Sequence, residues 1–155
     1  SEQDIFQRRS ARCFEPKSTL TQEQVKYFMQ SVDCKDSELS CYVVVLENKE
    51  NKAGVYLRSE LIKEGVFIEK ITKLLVDQKF VKNADMIFII TSKEFSANTL
   101  MQSAFLVHKL YMQAQTQGLG CSAIGAFYDL MLQKFLQTQD YILYVSAVGV
   151  NKKKS

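Results

Sequence analysis

Three arginines and a serine lie close together near the start of the chain, in the stretch QRRSARCF at residues 7–14. Arg8, Arg9 and Arg12 carry guanidinium groups, whose paired N–H donors match two phosphate oxygens at once. The hydroxyl of Ser10 adds a further donor. On its own the stretch does not separate a phosphate site from a solvated basic loop, and the loop is the commoner case.

Other residues that could do chemistry are sparse. His108 lies within an apolar stretch, where a packed histidine is commoner than a catalytic one. The cysteines show no CxxC spacing and, with a single histidine, form no recognisable zinc set; they are Cys13, Cys34, Cys41 and Cys121. Glycine-rich dinucleotide, P-loop and G-x-S-x-G motifs are absent. We therefore expect no metal site, and the residues alone identify no catalytic group.

Length and composition predict one domain over residues 1–155, with 46% hydrophobic and 24% charged residues. The net charge of +3 is small and arises partly from the terminal KKKS, which disfavours nucleic-acid binding. No apolar run approaches the roughly 18 residues that span a bilayer. Together with the cysteine pattern, these features predict a soluble cytoplasmic protein without a membrane partner.

The first half of the chain predicts a helix and a β-hairpin. Thr21 is a candidate N-cap of a helix in TLTQEQVKYFMQSV, and Gln24 completes a capping box. CYVVVLE and AGVYLR are predicted strands joined by a hairpin, and IEKITKLLVDQ, residues 68–78, is a predicted helix. ADMIFIITS is a continuous apolar run, typical of a central strand buried on both faces.

A long apolar helix dominates the second half. Ser96 can cap its start, and Gly118 stands where a left-handed residue would end it. A strand at CSAIGAF, a helix from Asp129 to about Leu136 and the strand YILYVSAVGV follow. This order predicts an α+β domain, a central mixed sheet flanked by helices. Apolar residues around most of the long helix indicate burial in a homodimer, although the helix could instead be the core of one chain.

Several motifs together resemble the nitroreductase-like flavoprotein family. RRSARCFEPKSTLTQEQV is similar to its opening R-R-S-x-R-x-F, and QTQGLGCSAIGAF is similar to its G-L-G-x-x-x-I-G-G-F turn. The long helix before that turn and the final strand follow in the family's order, so the resemblance runs from about residue 6 to 150. The hairpin YVVVLENKENKAGVYLR is most similar to the branch of peptide-heterocycle (thiazole or oxazole) dehydrogenases.

The resemblance implies a nitroreductase-like homodimer that binds FMN at the subunit interface. It further implies hydride transfer between NAD(P)H, or a small-molecule substrate, and the flavin. By position, it assigns phosphate and ribityl contacts to Arg8, Arg9, Ser10 and Arg12, and a further basic contact to Lys152 or Lys153. It assigns the backbone groups at the N5 edge of the flavin ring to Ile124, Gly125 and Ala126.

One segment departs from the family pattern. Residues 33–41, DCKDSELSC, stand where the family has a longer loop with further flavin contacts. Two functions therefore remain open. The first is an FMN-dependent oxidoreductase that acts on small substrates such as nitroaromatics or quinones. The second is a flavin-less pseudo-enzyme that serves as a structural or partner subunit of a modification complex.

Overall fold

The helices and strands of the chain alternate irregularly. A computed structural model describes residues 14, 20–34, 37–76 and 78–151. The described elements are α1 (Gln22–Ser31), β1 (Leu39–Val45), β2 (Gly54–Leu57), β3 (Glu60–Glu64), α2 (Ile68–Leu74), a 3-10 helix (Lys79–Asn83), β4 (Met86–Ser92), α3 (Ala97–Thr116), β5 (Gly120–Ala123), α4 (Asp129–Leu136) and β6 (Tyr141–Gly149). The α+β class is confirmed.

Six strands form one sheet in the order β3-β2-β1-β4-β6-β5. Every neighbouring pair is antiparallel, so the expected mixed sheet is wrong in this detail. The reason is topological. The crossover through α3 joins β4 to β5, which run in the same direction, but β6 is inserted between them and opposes both. The parallel relationship that a strand-helix-strand order suggests therefore never becomes a direct pairing.

The predicted central strand is confirmed in β4. All seven of its residues are buried, and it pairs with β1 on one side and β6 on the other. Phe88 lies opposite Val43 of β1 and opposite Ser146 of β6. Because both faces of this strand are covered, its sequence has no polar alternation.

Helices cover both faces of the sheet. On one face α1 and α3 bury residues that include Val43, Phe88 and Val148. On the other face α2, the 3-10 helix and α4 bury Ile87, Ile89 and other apolar residues. The fold is therefore a three-layer arrangement, with two separate apolar clusters above and below the strands.

The predicted helix ends agree with the structure. At α1 the Thr21 hydroxyl accepts a hydrogen bond from the N–H of Gln24 (3.1 Å), and the Gln24 side chain accepts one from the N–H of Thr21 (2.9 Å). Ser96 and Thr99 make the equivalent capping box at α3. Gly118 follows the C-cap of α3 with φ +70°, as expected for a left-handed terminator. Within the described ranges, no helix combines the length and apolarity needed to cross a membrane.

Two local features differ from the prediction. The helix expected over 68–78 ends at Leu74, and Val76 then takes a left-handed conformation with φ +57°. Strand β3 was not predicted, because four of its five residues are exposed and it lies at the sheet edge with no buried face to give an alternating pattern.

Candidate functional site

The turn between β5 and α4 is open to ligands. Ile124 is buried, and its N–H donates to the carbonyl of Val145 (2.9 Å). Gly125 and Ala126, which follow it, are exposed. A Cβ built on Gly125 would meet nothing within 4 Å, so open space lies above this residue. A flat group could therefore approach the backbone here.

The far side of the same turn is held by the end of α2 and by Gln78, which precedes the 3-10 helix. The side-chain amide of Gln78 donates to the carbonyl of Ala126 (3.1 Å) and to the carbonyl of Leu75 (3.0 Å). The N–H of Tyr128 donates to the carbonyl of Leu74 (3.0 Å). The exposed residues are thus fixed between β6 on one side and α2 on the other. Sequence reasoning missed Gln78, because nothing in the local pattern indicates a contact 48 residues away.

The opposite end of β5 lies beside a second junction of the chain. Gly120 pairs with Gly149 of β6, and two residues later Asn151 forms an antiparallel bridge with Phe14. The ring of Phe14 is buried and lies against Gly149, where a Cβ would come within 2.8 Å of Phe14 Cδ1. The ring also contacts Phe80, with centroids 6.1 Å apart. These contacts hold Phe14 against the end of β6.

The predicted basic residues themselves lie outside the described residues; they are Arg8, Arg9, Ser10, Arg12, Lys152 and Lys153. Two residues close to them in the sequence are described. These are Phe14, which is two residues after Arg12, and Asn151, which immediately precedes Lys152. The predicted turn residues are described: Gly125 and Ala126 are exposed, and Ile124 before them is buried. From Gly120 to Gly125 the chain advances five residues, or about 17 Å at strand spacing.

Cys121 in β5 lacks the properties of a nucleophilic cysteine. Burial raises the pKa of the Cys121 thiol to about 11, although a hydrogen bond with Ser146 opposes this shift. Its Sγ lies 3.1 Å from the Ser146 hydroxyl, which also contacts the carbonyl of Ser122 at 3.1 Å. A thiol with this pKa is almost fully protonated at neutral pH. Among the residues that the structure describes, no group of three or more potential metal ligands is found.

Helix α3 presents apolar side chains to solvent. Leu110 and Ala114 pack against the sheet, whereas Met101 and Phe105 are 54% and 66% exposed, and Leu100 and Met112 are exposed as well. His108 is also exposed, so the expectation of a packed histidine is wrong within a single chain. One face of a long central helix is thus left uncovered.

The described elements form a three-layer α+β fold around one six-stranded antiparallel sheet, and the comparisons with known proteins identify the family. The model of the nitroreductase family matches residues 5–150, and the chain belongs to that family. No curated protein matches the chain.

Solved structures share the fold at low identity. A structure assigned as a nitroreductase of Anabaena variabilis superposes with a TM-score of 0.72 at 18% identity, over 93% of this chain and 36% of that one. The present chain thus spans about a third of that protein's length. A structure described as an oxidoreductase containing FMN gives 0.71 at 15% identity, over 96% and 76% of the two chains. A chain of the Escherichia coli microcin synthetase McbBCD complex, with truncated pro-MccB17 bound, gives 0.74 at 12% identity, over 90% and 67%.

Proposed function

We propose that the chain is an FMN-dependent oxidoreductase that passes hydride equivalents between NAD(P)H, or a small-molecule substrate, and the flavin. One observation carries the proposal. The bridge between Phe14 and Asn151 lies at one end of β5, and the clamped turn at Gly125 lies at the other. At strand spacing the five residues from Gly120 to Gly125 alone cover about 17 Å, so the two ends are far enough apart for a ribityl phosphate together with the ring that it carries.

The first end of β5 suits the phosphate. In an antiparallel bridge, residues before one partner face residues after the other. Arg12 lies two residues before Phe14 in the sequence and Lys153 two residues after Asn151, so each is within two Cα steps of about 3.8 Å of the bridge. Arg8, Arg9 and Ser10 precede this point, with Lys152 beside it, and their donors suit the phosphate and ribityl oxygens. Guanidinium and ammonium groups bind phosphate by charge-assisted hydrogen bonds.

The second end of β5 suits the ring. The open space at Gly125 admits a flat group, and the N–H groups of Gly125 and Ala126 form no hydrogen bond to another described residue. Ile124, which is buried and bonded to β6, anchors the start of the turn. Fixed backbone donors favour negative charge on a group that they face. FMN, when bound, supplies the redox chemistry, and these residues orient and tune it.

A homodimer completes the proposal. The exposed apolar face of α3, with Phe105 and Met101 at its centre, is the kind of surface that a second copy covers. In this arrangement each FMN lies near the interface between the two subunits. We also propose that the protein works in the cytoplasm, since its described cysteines are free.

A second function rests on residues 33–41. This segment leads directly from α1 into β1, where the family resemblance implies a longer loop with further flavin contacts. One chain of similar fold is a part of a synthetase complex. A flavin-less structural or partner subunit of a modification complex is therefore the alternative.

The two functions are separated by the chromophore. We expect the purified protein, mixed with FMN and desalted, to retain flavin absorbance near stoichiometric amounts and to quench FMN fluorescence at micromolar concentration. Bleaching on addition of NADH or NADPH then identifies the donor. If the protein does not retain flavin, the proposed oxidoreductase function is contradicted and the alternative, a flavin-less partner subunit, is favoured.

A paired variant tests the phosphate end. Arg8→Ala combined with Ser10→Ala should abolish retention of FMN and leave the oligomeric state unchanged. Binding of riboflavin, which lacks the phosphate, should change little, and this serves as the matched control. Unchanged FMN content would mean that the phosphate binds elsewhere.

A further inference from the structure

The side chain of Gln78 ties two backbone segments together at the turn. Its amide nitrogen donates to the carbonyls of Leu75 and Ala126, at 3.0 and 3.1 Å. A primary amide has two N–H donors, so both bonds form at once. One bond closes the end of α2, and the other reaches across to the turn at Gly125 and Ala126.

The backbone is strained at Val76, two residues before Gln78. Val76 has φ +57°, and left-handed backbone is costly for a β-branched residue, about 1–3 kcal/mol. This left-handed residue follows the C-cap of α2, Leu75, and the Gln78 amide bonds back to the carbonyl of that C-cap. Strained residues of this kind persist where the surrounding structure over-determines them. Around Val76, the surrounding structure includes the hydrogen bonds that Gln78 and Leu74 make with the turn.

The consequence for the turn is geometric. The N–H of Ile124 and the carbonyl of Ala126 are both engaged, and the N–H of Tyr128 is held by Leu74. Between these anchors lie the peptide groups of Gly125 and Ala126, whose N–H groups remain available. Without the bond from Gln78, the Ala126 carbonyl could rotate, and the direction of the preceding amides would no longer be set.

We propose that Gln78 is a positioning residue that aims the backbone amides of Gly125 and Ala126 at the ring and thereby sets how strongly the protein prefers reduced over oxidised FMN. This inference rests on the proposed function. Pre-aimed donors stabilise the negative charge that reduction adds, because the reorganisation is complete before the charge arrives. If these N–H donors can rotate away from the ring, reduced FMN loses more stabilisation than oxidised FMN.

The test uses Gln78→Met, which keeps the length of the side chain and removes both donors. The matched control is Gln133→Met. The Gln133 amide makes a similar bond to the carbonyl of Asp140 (2.7 Å) in the loop before β6. For Gln78→Met we expect the preference for reduced over oxidised FMN to fall about tenfold, which lowers the two-electron midpoint potential by about 30 mV. The control should leave the potential unchanged.

A second measurement needs no flavin. Hydrogen exchange in the FMN-free protein should be faster at the amides of residues 125–128 in Gln78→Met and unchanged there in Gln133→Met. Gln78→Ala serves as the second variant if the methionine packs poorly. A wild-type potential and wild-type exchange in the Gln78 variants would overturn the inference. Failure of the unaltered protein to bind FMN would instead overturn the proposed function and the potential-setting role, whereas the exchange result would still decide whether Gln78 fixes the turn.

Discussion

The ring of Phe14 occupies the volume that a side chain at position 149 would need. A Cβ on Gly149 would lie 2.8 Å from Phe14 Cδ1 and 3.3 Å from the backbone of Ala84, so neither neighbour leaves room for a methyl group. The close approach lets Phe14 seal the end of β6 and bridge to Asn151. The phosphate end of the proposed site is therefore aligned by a contact between an aromatic ring and a glycine.

Gly149→Ala should displace Phe14 and with it the segment that follows Arg12. Overpacking of this kind costs about 1–3 kcal/mol, and FMN retention should fall together with stability. Urea unfolding and flavin titration measure the two effects. Gly118→Ala is the control, since its φ of +70° also strains an alanine but a Cβ at this position meets no atom within 4 Å. Equal loss of FMN in both variants would show that the effect is only a loss of stability.

Lys63 should stabilise the fold through two aromatic rings. Its Nζ lies 4.7 Å from the ring centre of Phe135 and 5.3 Å from that of Phe67, and it donates to the carbonyl of Phe135 (3.4 Å). We expect Lys63→Met to lower the free energy of unfolding by about 1 kcal/mol, because cation-π contacts at exposed sites contribute about this amount. Lys63→Arg should retain most of it. The exposed Lys70 on α2 is the control, and an equal loss in Lys70→Met would contradict the assignment.

Cys121 should make the protein less stable at alkaline pH. The pKa of its thiol is about 11 in the folded chain because of burial, against 9.0 as the ordinary value. The folded state thus holds the proton more tightly, so this contribution is complete below about pH 9 and is lost as the pH rises through 11. In Cys121→Ser the free energy of unfolding, measured with urea, should fall by about 2 kcal/mol less between pH 8 and 10.5 than it does in the parent protein. An unchanged slope would contradict the prediction, and Ser122→Ala, its neighbour in β5, should behave as the parent.

Phe105 should control the oligomeric state. It is 66% exposed in the single chain, and a lysine there would place a charge in the proposed interface. We expect Phe105→Lys to be monomeric by light scattering where the parent is a dimer. Ile62→Lys, at an exposed apolar residue of the edge strand β3, should remain dimeric. A dimeric Phe105→Lys would move the interface to another surface.

Local signals in the sequence predicted most of the elements but not their pairing. The capping residues Thr21 and Ser96 and the terminator Gly118 act within a few positions, and all three predictions are confirmed. The all-antiparallel order depends on where β6 inserts, which is a long-range property without a local code. Strand β3 escaped prediction because it lies at the edge and buries little.

The site was predictable to a similar extent. The assignment of flavin contacts to residues 124–126 follows from the family resemblance and stays a prediction, and the structure shows that Gly125 and Ala126 are exposed. Gln78 could not be predicted, because a glutamine after a helix is an ordinary surface residue until the turn packs against it. Val76 is likewise unexpected, since no sequence rule places a β-branched residue in a left-handed conformation.

The insertion of β6 between β4 and β5 also dictates the order in which the chain can finish folding. Among the described strands β5 pairs with β6 alone, so it has no strand partner until β6 forms. Strand β6 is the last strand in the sequence, so during synthesis the other five strands emerge before it. Until then the edge of the buried strand β4 is unpaired, and such edges recruit other chains. The turn at Gly125 is therefore positioned only once β6 has formed. A chain that ends before residue 141 would leave one edge of β4 unpaired and open to association with other chains, and it would not form the proposed cofactor site.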